Sequence, residues 1–199
     1  MSTPKTLLEM AGADLTPPPL AQAVVIVIDA QNEYLDGKLA LPGVKPAVEA
    51  IAKLLAKARA AGTPVVHVAH KGRAGGLFDR DGHGGAIIEA VQPASGEIVV
   101  EKPLPNAFAQ TDLDAELKVL GRTSLVIAGF MTHMCVSSTA RAALDLGYKT
   151  TVAADAAATR ELPDPLGGVI SADALHRAAL AELGDRFAIV ATVDRIVGS

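Results

Sequence analysis

The sequence predicts an α/β fold, a single-domain three-layer α/β/α sandwich around a mainly parallel sheet. Apolar runs without polar alternation, AVVIVID at 23–29 and SLVIAG at 124–129, are typical of strands buried on both faces of such a sheet. Between the runs, apolar residues recur at helical spacing, and Gly62 and Gly147 each stop a helix. The 199 residues suit one domain, since ~150 residues per domain is the usual prior.

Strands and helices are expected to alternate along the whole chain. We predict strands at 23–29, 64–70, 97–102, 124–129, 149–155 and 187–192, and helices at 44–61, 112–120, 134–146 and 171–183. This alternation implies right-handed crossovers and a Rossmann-like sheet covered on both faces. No linker divides the chain, so we expect an N-terminal segment, 1–22, packed on a single domain, 23–199.

One stretch, 71–96, departs from the alternation. It holds seven glycines and few long apolar runs, so we predict a long loop with a helical turn near Ile87. Loops of this length in compact domains are often functional lids or binding loops. The segment therefore belongs among the candidate functional regions, although it carries no recognisable substrate code.

Composition and charge restrict the choice of partners. A formal net charge of -4 argues against nucleic acid or an anionic membrane as the main partner. No apolar run approaches the ~20 residues that cross a bilayer, and Pro4, Glu9 and the turn Pro17–Pro19 interrupt any signal peptide. The single cysteine forms no internal disulfide, so we expect a cytoplasmic protein with a reduced thiol and a small-molecule substrate.

Three ionisable residues follow the carboxyl ends of predicted strands. Asp29 ends the first strand, Lys102 ends the strand at 97–102, and Cys135 follows the strand at 124–129. In open α/β sheets the ligand crevice lies outside the carboxyl ends of the strands, so these groups should converge there. Taken singly, Asp29 could cap a loop, Lys102 could be a surface lysine and Cys135 a small buried hydrophobe.

A carboxylate, an ammonium and a thiol make chemical sense together. Cys135 falls near the start of a predicted helix, a position that favours thiolate and brings cysteine pKa values from ~8.5 down to ~3.5–7.5. The carboxylate accepts the thiol proton, and the ammonium favours the resulting negative charge. The three residues therefore predict a catalytic cysteine.

Several motifs in order resemble the isochorismatase-like cysteine hydrolases. GFMTHMCV at 129–136 resembles the nucleophile motif of these enzymes, and DAQNEY at 29–34 resembles their first-strand motif. Glu101-Lys102-Pro103 and Asn106-Ala107-Phe108 resemble the lysine strand and the loop after it. The similarity runs from about 23 to 192, which is nearly the whole predicted domain.

The resemblance implies an isochorismatase-like fold and a mechanism. Asp29 would take the proton of Cys135, the thiolate would attack the carbonyl carbon of an amide, and Lys102 would support the charge. The backbone N–H groups of Met131 and Cys135 would form the oxyanion hole, and the Phe130–Met131 peptide bond would be cis. No cofactor is implied, and a homo-oligomer, either a dimer or a tetramer, is expected.

Two features of the resemblance leave alternatives open. Nicotinamidases in this superfamily carry an Asp-x-His metal motif, whereas here only Asp81 and His83 in the loop have that spacing. A solvated loop without metal is the favoured interpretation, because two ligands do not make a site. Isochorismatases proper hydrolyse a vinyl ether without a cysteine nucleophile, and this activity is one alternative function. A non-catalytic α/β binding module is the alternative that is not an enzyme.

Four further residues are candidates for substrate binding because they adjoin the triad in sequence. They are Tyr34, Phe108, Thr132 and His133. Core packing is an equally good interpretation for the two aromatic residues, and His133 could instead be a satisfied residue at the helix entry. His176, which falls in an apolar helix pattern, is expected to be structural or to lie at a subunit contact.

Overall fold

The computed structural model describes residues 3–198 and contains a central parallel sheet. The strands in chain order are β1 (Ala23–Ile28), β2 (Val65–His70), β3 (Ile98–Lys102), β4 (Ser124–Phe130), β5 (Lys149–Ala158), β6 (Leu162–Pro163), β7 (Val169–Ile170) and β8 (Ile189–Ala191). Six of them form one sheet in the order β3-β2-β1-β4-β5-β8, and every neighbouring pair in it is parallel. The strand order reverses between β1 and β4, which is where an α/β sheet opens a ligand crevice.

Helices cover both faces of the sheet. They are α1 (Leu7–Met10), α2 (Asn32–Leu35), α3 (Val44–Ala60), α4 (Leu113–Leu120), α5 (Ser137–Asp145), α6 (Ala172–Arg186) and α7 (Val193–Val197). Val25 and Val27 of β1 pack in a cluster with α3 and α7, whereas Val24 and Ile26 pack in a second cluster with α4, α5 and α6. The predicted three-layer α/β/α sandwich is confirmed.

The loop at 71–96 is as irregular as its glycines predict. It contains two short 3-10 turns, His83–Gly85 and Glu89–Val91, the second close to the helical turn expected near Ile87. The last strand is shorter than expected because Thr192 accepts a hydrogen bond from the Arg195 N–H and caps α7, a helix that the apolar pattern did not predict. The β6–β7 hairpin was also missed, since two-residue strands carry no periodicity.

The N-terminal segment contacts the end of the chain. Thr6 and Glu9 form a capping box on α1, and the Leu7 N–H donates to Asp185 of α6 at 2.8 Å. Arg195 of α7 donates to the Leu15 carbonyl, also at 2.8 Å. The outer ends of the two predicted ranges, residues 1, 2 and 199, lie outside the described residues. Among residues 3–198, no helix has the length and apolar character needed to span a bilayer.

Candidate active site

Asp29 lies directly after β1 in an unusual backbone conformation. Its φ is 50°, in the left-handed region that few non-glycine residues adopt, and its N–H donates to the Val68 carbonyl at 2.8 Å. The residue is fully buried. Residues held in such conformations often occur at functional sites, where the surrounding structure fixes the direction of the side chain.

Lys102, the last residue of β3, is also fully buried. Its Nζ lies 2.7 Å from Asp29 Oδ2 and 3.3 Å from Cys135 Sγ. The same ammonium donates to the Leu104 carbonyl at 3.1 Å and lies 3.4 Å from His70 Nδ1. The surface-lysine interpretation is therefore wrong, and the structure brings the three predicted groups into one cluster.

Cys135 occupies a π-helical turn, Thr132–Val136, between β4 and α5. The Val136 N–H reaches back to the Met131 carbonyl at 3.2 Å, and regular α-helix begins only at Ser137. Such π turns are rare in proteins, and those that occur are often found at functional sites. The thiol is buried, with 4% of the residue exposed, and it faces Lys102 across the crevice.

Gly129 allows β4 to approach β1 closely at this end of the sheet. Its φ is 113°, and a Cβ at this position would lie 2.0 Å from the Ile28 carbonyl oxygen. The close approach brings the strand end that precedes Cys135 next to the one that precedes Asp29. The Phe130–Met131 bond that follows is cis, as the resemblance implied.

Burial controls the acidity of the cluster. It raises the pKa of the Cys135 thiol to about 12, an effect that the Asp29 charge adds to and Lys102 opposes. The expectation of a lowered cysteine pKa from the helix start is therefore wrong, because loss of hydration outweighs the helix terminus. Burial also raises the pKa of Asp29 against the opposing charge of Lys102. The thiol is thus protonated at rest, beside a carboxyl group suited to act as a base.

A small cavity of about 190 Å³ opens onto Asp29 and Cys135. Its wall consists of Asp29, Tyr34, Leu39, His70, Phe78, Pro105, Met131, Met134, Cys135 and Arg160. Tyr34 was predicted from its position beside Asp29. His70 was missed as a wall residue, although it ends a predicted strand as Lys102 does. Arg160 lies beyond the last residue of β5, and the sequence carried no motif that pointed to it.

Three predicted pocket residues lie outside this wall. The Phe108 ring stacks on Tyr148, with ring centroids 5.9 Å apart, in the core cluster under α4 and α5. Thr132 is fully buried and its hydroxyl lies 2.8 Å from Nδ1 of His176, which gives His176 a structural role. His133 hydrogen-bonds through its ring to the Thr159 hydroxyl. Adjacency to the triad in sequence therefore did not place these side chains on the cavity.

The glycine-rich loop contributes Phe78 to the cavity wall, and Gln31, which follows β1, contacts the loop. The buried Gln31 amide donates to the carbonyls of His70 at 3.0 Å and Gly85 at 2.8 Å, and accepts from the His70 N–H at 2.9 Å. Phe78 of the loop packs edge-on against Tyr34, with centroids 5.0 Å apart. These contacts make the loop a wall of the site, as its length suggested.

The Asp81 and His83 pair has another arrangement. The His83 ring lies 2.9 Å from Asp36, and both of those side chains are exposed. Within the described part of the chain, no group of three or more His, Cys, Asp or Glu residues could hold a metal ion. The loop thus shows a hydrogen bond between His83 and Asp36 on the surface at this place.

Comparison with known proteins identifies the family. The isochorismatase domain model matches residues 23–195. The chain belongs to the isochorismatase family. A secreted isochorismatase effector of Verticillium dahliae is 39% identical over 83% of this chain and 85% of its own length. An isochorismatase crystal structure from Pseudomonas putida superposes with a TM-score of 0.92 at 45% identity, over 96% of this chain and 98% of that one.

Other members of the isochorismatase family have more specific names. A streptothricin hydrolase of Streptomyces noursei is 35% identical over 83% of this chain and 61% of its own. A ureidoacrylate amidohydrolase of Methylobacterium radiotolerans is 31% identical over 87% and 77%. A cysteine hydrolase structure from Pseudomonas syringae has a TM-score of 0.85 at 27% identity, covering 100% of this chain and 97% of that one.

Proposed function

We propose that this protein is a cysteine-dependent hydrolase that cleaves a small amide or related carbon–nitrogen bond through a thioester. The observation that carries the proposal is the position of Lys102 Nζ, 2.7 Å from Asp29 and 3.3 Å from the Cys135 sulfur, two residues that line a cavity of about 190 Å³. A nucleophile and a base thus face one small space, and a buried cation contacts both, which is an arrangement suited to covalent acyl transfer.

The first half-reaction forms the acyl-enzyme. As Cys135 Sγ bonds to the substrate carbonyl carbon, the thiol proton passes to Asp29 and the carbonyl electron pair moves to oxygen. Collapse of this tetrahedral intermediate restores the carbonyl and breaks the C–N bond, and Asp29 returns the proton to the departing amine or ammonia. A thioester on Cys135 remains.

The second half-reaction uses water. Asp29 takes a proton from the water as its oxygen attacks the thioester carbon. The C–S bond then breaks, the acid leaves, and the proton on Asp29 restores the Cys135 thiol. Because the resting thiol has a pKa of about 12, transfer to Asp29 during attack accounts for reactivity better than a standing thiolate does.

Stabilisation of the developing charge falls to Lys102 and the backbone. Lys102 lowers the energy of the sulfur anion that forms as the proton leaves. The N–H groups of Met131 and Cys135, on the turn after β4, are proposed as the oxyanion hole, in which one donor is typically worth ~3–4 kcal/mol of transition-state stabilisation. Removing either Asp29 or Lys102 should therefore affect catalysis far more than substrate binding.

The named relatives support the class of bond. Streptothricin hydrolase and ureidoacrylate amidohydrolase point to carbon–nitrogen bonds other than peptide bonds, and the cysteine hydrolase of Pseudomonas syringae points to thiol chemistry. We keep the cytoplasm as the proposed location, because a reducing compartment preserves the thiol. A buried thiol paired with a base favours acyl transfer over vinyl ether hydrolysis.

Ammonia release from a panel of small amides tests the proposal. The wild type should release ammonia from at least one amide. Cys135→Ala, measured at the same enzyme concentration, should release none above background. Chelator treatment should leave the activity unchanged, because a thiol nucleophile requires no metal-bound water. Turnover by Cys135→Ala at the wild-type rate would refute the cysteine mechanism, and zinc-restorable loss after chelation would reinstate the Asp81 and His83 pair as metal ligands.

A further inference from the structure

Arg160 lies on the cavity wall without an ionic partner. It follows β5, so it enters the crevice from the side opposite to β3 and Lys102. Its Nε is buried and has no hydrogen-bond partner among residues 3–198. The one hydrogen bond seen for this guanidinium in that range runs from Nη1 to the Glu161 carbonyl at 3.3 Å. Most donors of a charged, half-buried group are therefore unused.

The charges around the cavity leave that of Arg160 uncompensated. Asp29 and Lys102 neutralise each other at 2.7 Å, and the Cys135 thiol carries no charge at rest. Burial lowers the pKa of His70 and of His133, with Lys102 adding to the effect at His70 and Arg160 adding to it at His133, so both rings are neutral near pH 7. The net formal charge of the wall and of Lys102 behind it is therefore positive.

Besides Asp29, the one other buried carboxylate among residues 3–198 has another task. Glu33 on α2 is 6% exposed, and its Oε1 accepts a hydrogen bond from the Leu39 N–H at 3.2 Å. No ion pair involving Arg160 occurs among the described residues, whereas Arg59, Arg80 and Arg141 each pair with a glutamate. A buried guanidinium donor without a partner is costly, and a ligand anion would supply that partner.

We infer that Arg160 binds a carboxylate of the substrate, so that the preferred substrates are small amides that also carry an acid group. The planar guanidinium presents paired donors that match the two oxygens of a carboxylate. Because the cavity is small and Cys135 lies on the same wall, the acid and the scissile amide must be a few bonds apart. This inference rests on the proposed hydrolase function and makes Arg160 a specificity-determining residue.

Matched substrates isolate the carboxylate. Succinamate and succinamide differ only in one acid group, as do glutaramate and glutaramide. Each diamide has two equivalent amide bonds, so its measured rate is divided by two before the comparison. The wild type should show a kcat/KM at least about 100-fold higher on the acid of the better pair, the discrimination expected from a charge-assisted bidentate contact. Arg160→Met should reduce the ratio of kcat/KM on the acid to kcat/KM on the diamide to within a few-fold of one. The change should come mainly from a lower kcat/KM on the acid.

Two further variants separate charge from geometry. Arg160→Lys keeps the charge and loses the fork, so its discrimination should lie between those of the wild type and Arg160→Met. Arg177→Met, at an exposed arginine of α6, should leave the ratio unchanged. Equal ratios in the wild type and Arg160→Met would overturn the inference, while Cys135-dependent ammonia release from either member of a pair would leave the hydrolase proposal standing.

Calorimetry separates binding from turnover. Cys135→Ala should bind succinamate or glutaramate measurably, and Cys135→Ala/Arg160→Met should bind it at least about 30-fold more weakly, as expected when contacts to a charged group are lost. Arg160-dependent binding without hydrolysis by the wild type would support the carboxylate site and count against the hydrolase. Absence of binding of both acids to Cys135→Ala would overturn the carboxylate site.

Discussion

Lys102 Nζ lies 2.7 Å from Asp29 Oδ2 although Lys102 ends β3 and Asp29 follows β1, two strands that are not neighbours. β2 lies between β3 and β1, so the side chain of Lys102 must extend past the end of β2 to reach Asp29. Neighbouring strands are usually ~4.8 Å apart. Both side chains are buried, at 0% and 1% exposure. A buried ion pair is a poor source of stability, because the lost hydration offsets most of its attraction. Its presence is therefore better explained by chemistry than by folding.

Asp29→Asn should remove activity and also reduce stability. The amide keeps the shape of the side chain but accepts no proton from Cys135, so kcat should fall to background. It also leaves the Lys102 charge buried without a counter-charge, for which the usual cost is ~3–5 kcal/mol of unfolding free energy. Urea denaturation measured beside ammonia release tests both effects.

The double variant Asp29→Asn/Lys102→Met is the matched control. It removes the unpaired charge, so much of the lost stability should return while activity stays at background. Stability of the double variant below that of Asp29→Asn would show that Lys102 is held mainly by Leu104 and His70. Wild-type activity in either variant would contradict the assignment of Asp29 as the base.

Labelling of Cys135 should be slow near neutral pH and should rise with pH. Since burial raises the pKa of the thiol to about 12, its thiolate fraction at pH 7.5 is far below that of a free cysteine with a pKa near ~8.5. Iodoacetamide modification followed by mass spectrometry should be at least about 100-fold slower than for glutathione at pH 7.5, and should accelerate up to pH 10.5. Rapid labelling at neutral pH would contradict a protonated resting thiol.

The same shift affects stability at high pH. The folded-state pKa of Cys135 lies above its unfolded value, so the folded protein holds this proton more tightly. The contribution is complete below about pH 8.5 and declines as pH rises towards 12. Urea unfolding of the wild type should therefore lose stability between pH 8.5 and 10.5 more steeply than Cys135→Ala. Parallel curves for the two proteins would show that the thiol has no raised pKa.

Sequence patterns sufficed for the sheet and for the meeting of Asp29, Lys102 and Cys135 at one edge of it. The apolar runs determined which segments become strands, and parallel strands place their carboxyl ends on one side, so Asp29, Lys102 and Cys135 were expected to meet. The direction of the Cys135 pKa shift was wrong because the prediction considered the helix terminus and not the burial of the thiol. Burial depends on tertiary packing, which a local pattern does not encode.

The pocket wall was harder to predict than the triad. Phe108, Thr132 and His133 lie near the proposed catalytic residues in sequence, yet each side chain contacts another partner. Arg160 adjoins none of them and still reaches the cavity, because β5 is the neighbour of β4 in the sheet. A strand followed by an arginine is too common a pattern to indicate a binding residue without that topology.

The oligomeric state is a prediction that follows from the resemblance. We expect a dimer or a tetramer, since closed symmetric assemblies are common among soluble enzymes. Light scattering coupled to size exclusion should give a mass of about two or four times 20.4 kDa. A mass near that of one chain, constant over a tenfold range of concentration, would contradict it.

Gly129→Ala should destabilise the protein strongly and should impair catalysis. The new Cβ would lie 2.0 Å from the Ile28 carbonyl oxygen, and the φ of 113° is one that alanine rarely adopts, so β4 must move away from β1. Because Asp29 and the Cys135 turn follow directly on these strands, their separation should change with it. We expect the free energy of unfolding to fall by more than about 3 kcal/mol. The fold-decrease in kcat should exceed the fold-increase in KM.

Gly147→Ala separates the close approach from the backbone conformation. Gly147 also has a positive φ, 87°, but no atom lies within 4 Å of the point that an alanine Cβ would occupy, so only the conformational cost of about 1 kcal/mol should appear. Chemical denaturation of both variants, with ammonia release on the folded fraction, measures the difference. Equal losses of stability would mean that the contact with Ile28 relaxes at no cost. The position of Cys135 relative to Asp29 would then not depend on how closely β4 approaches β1.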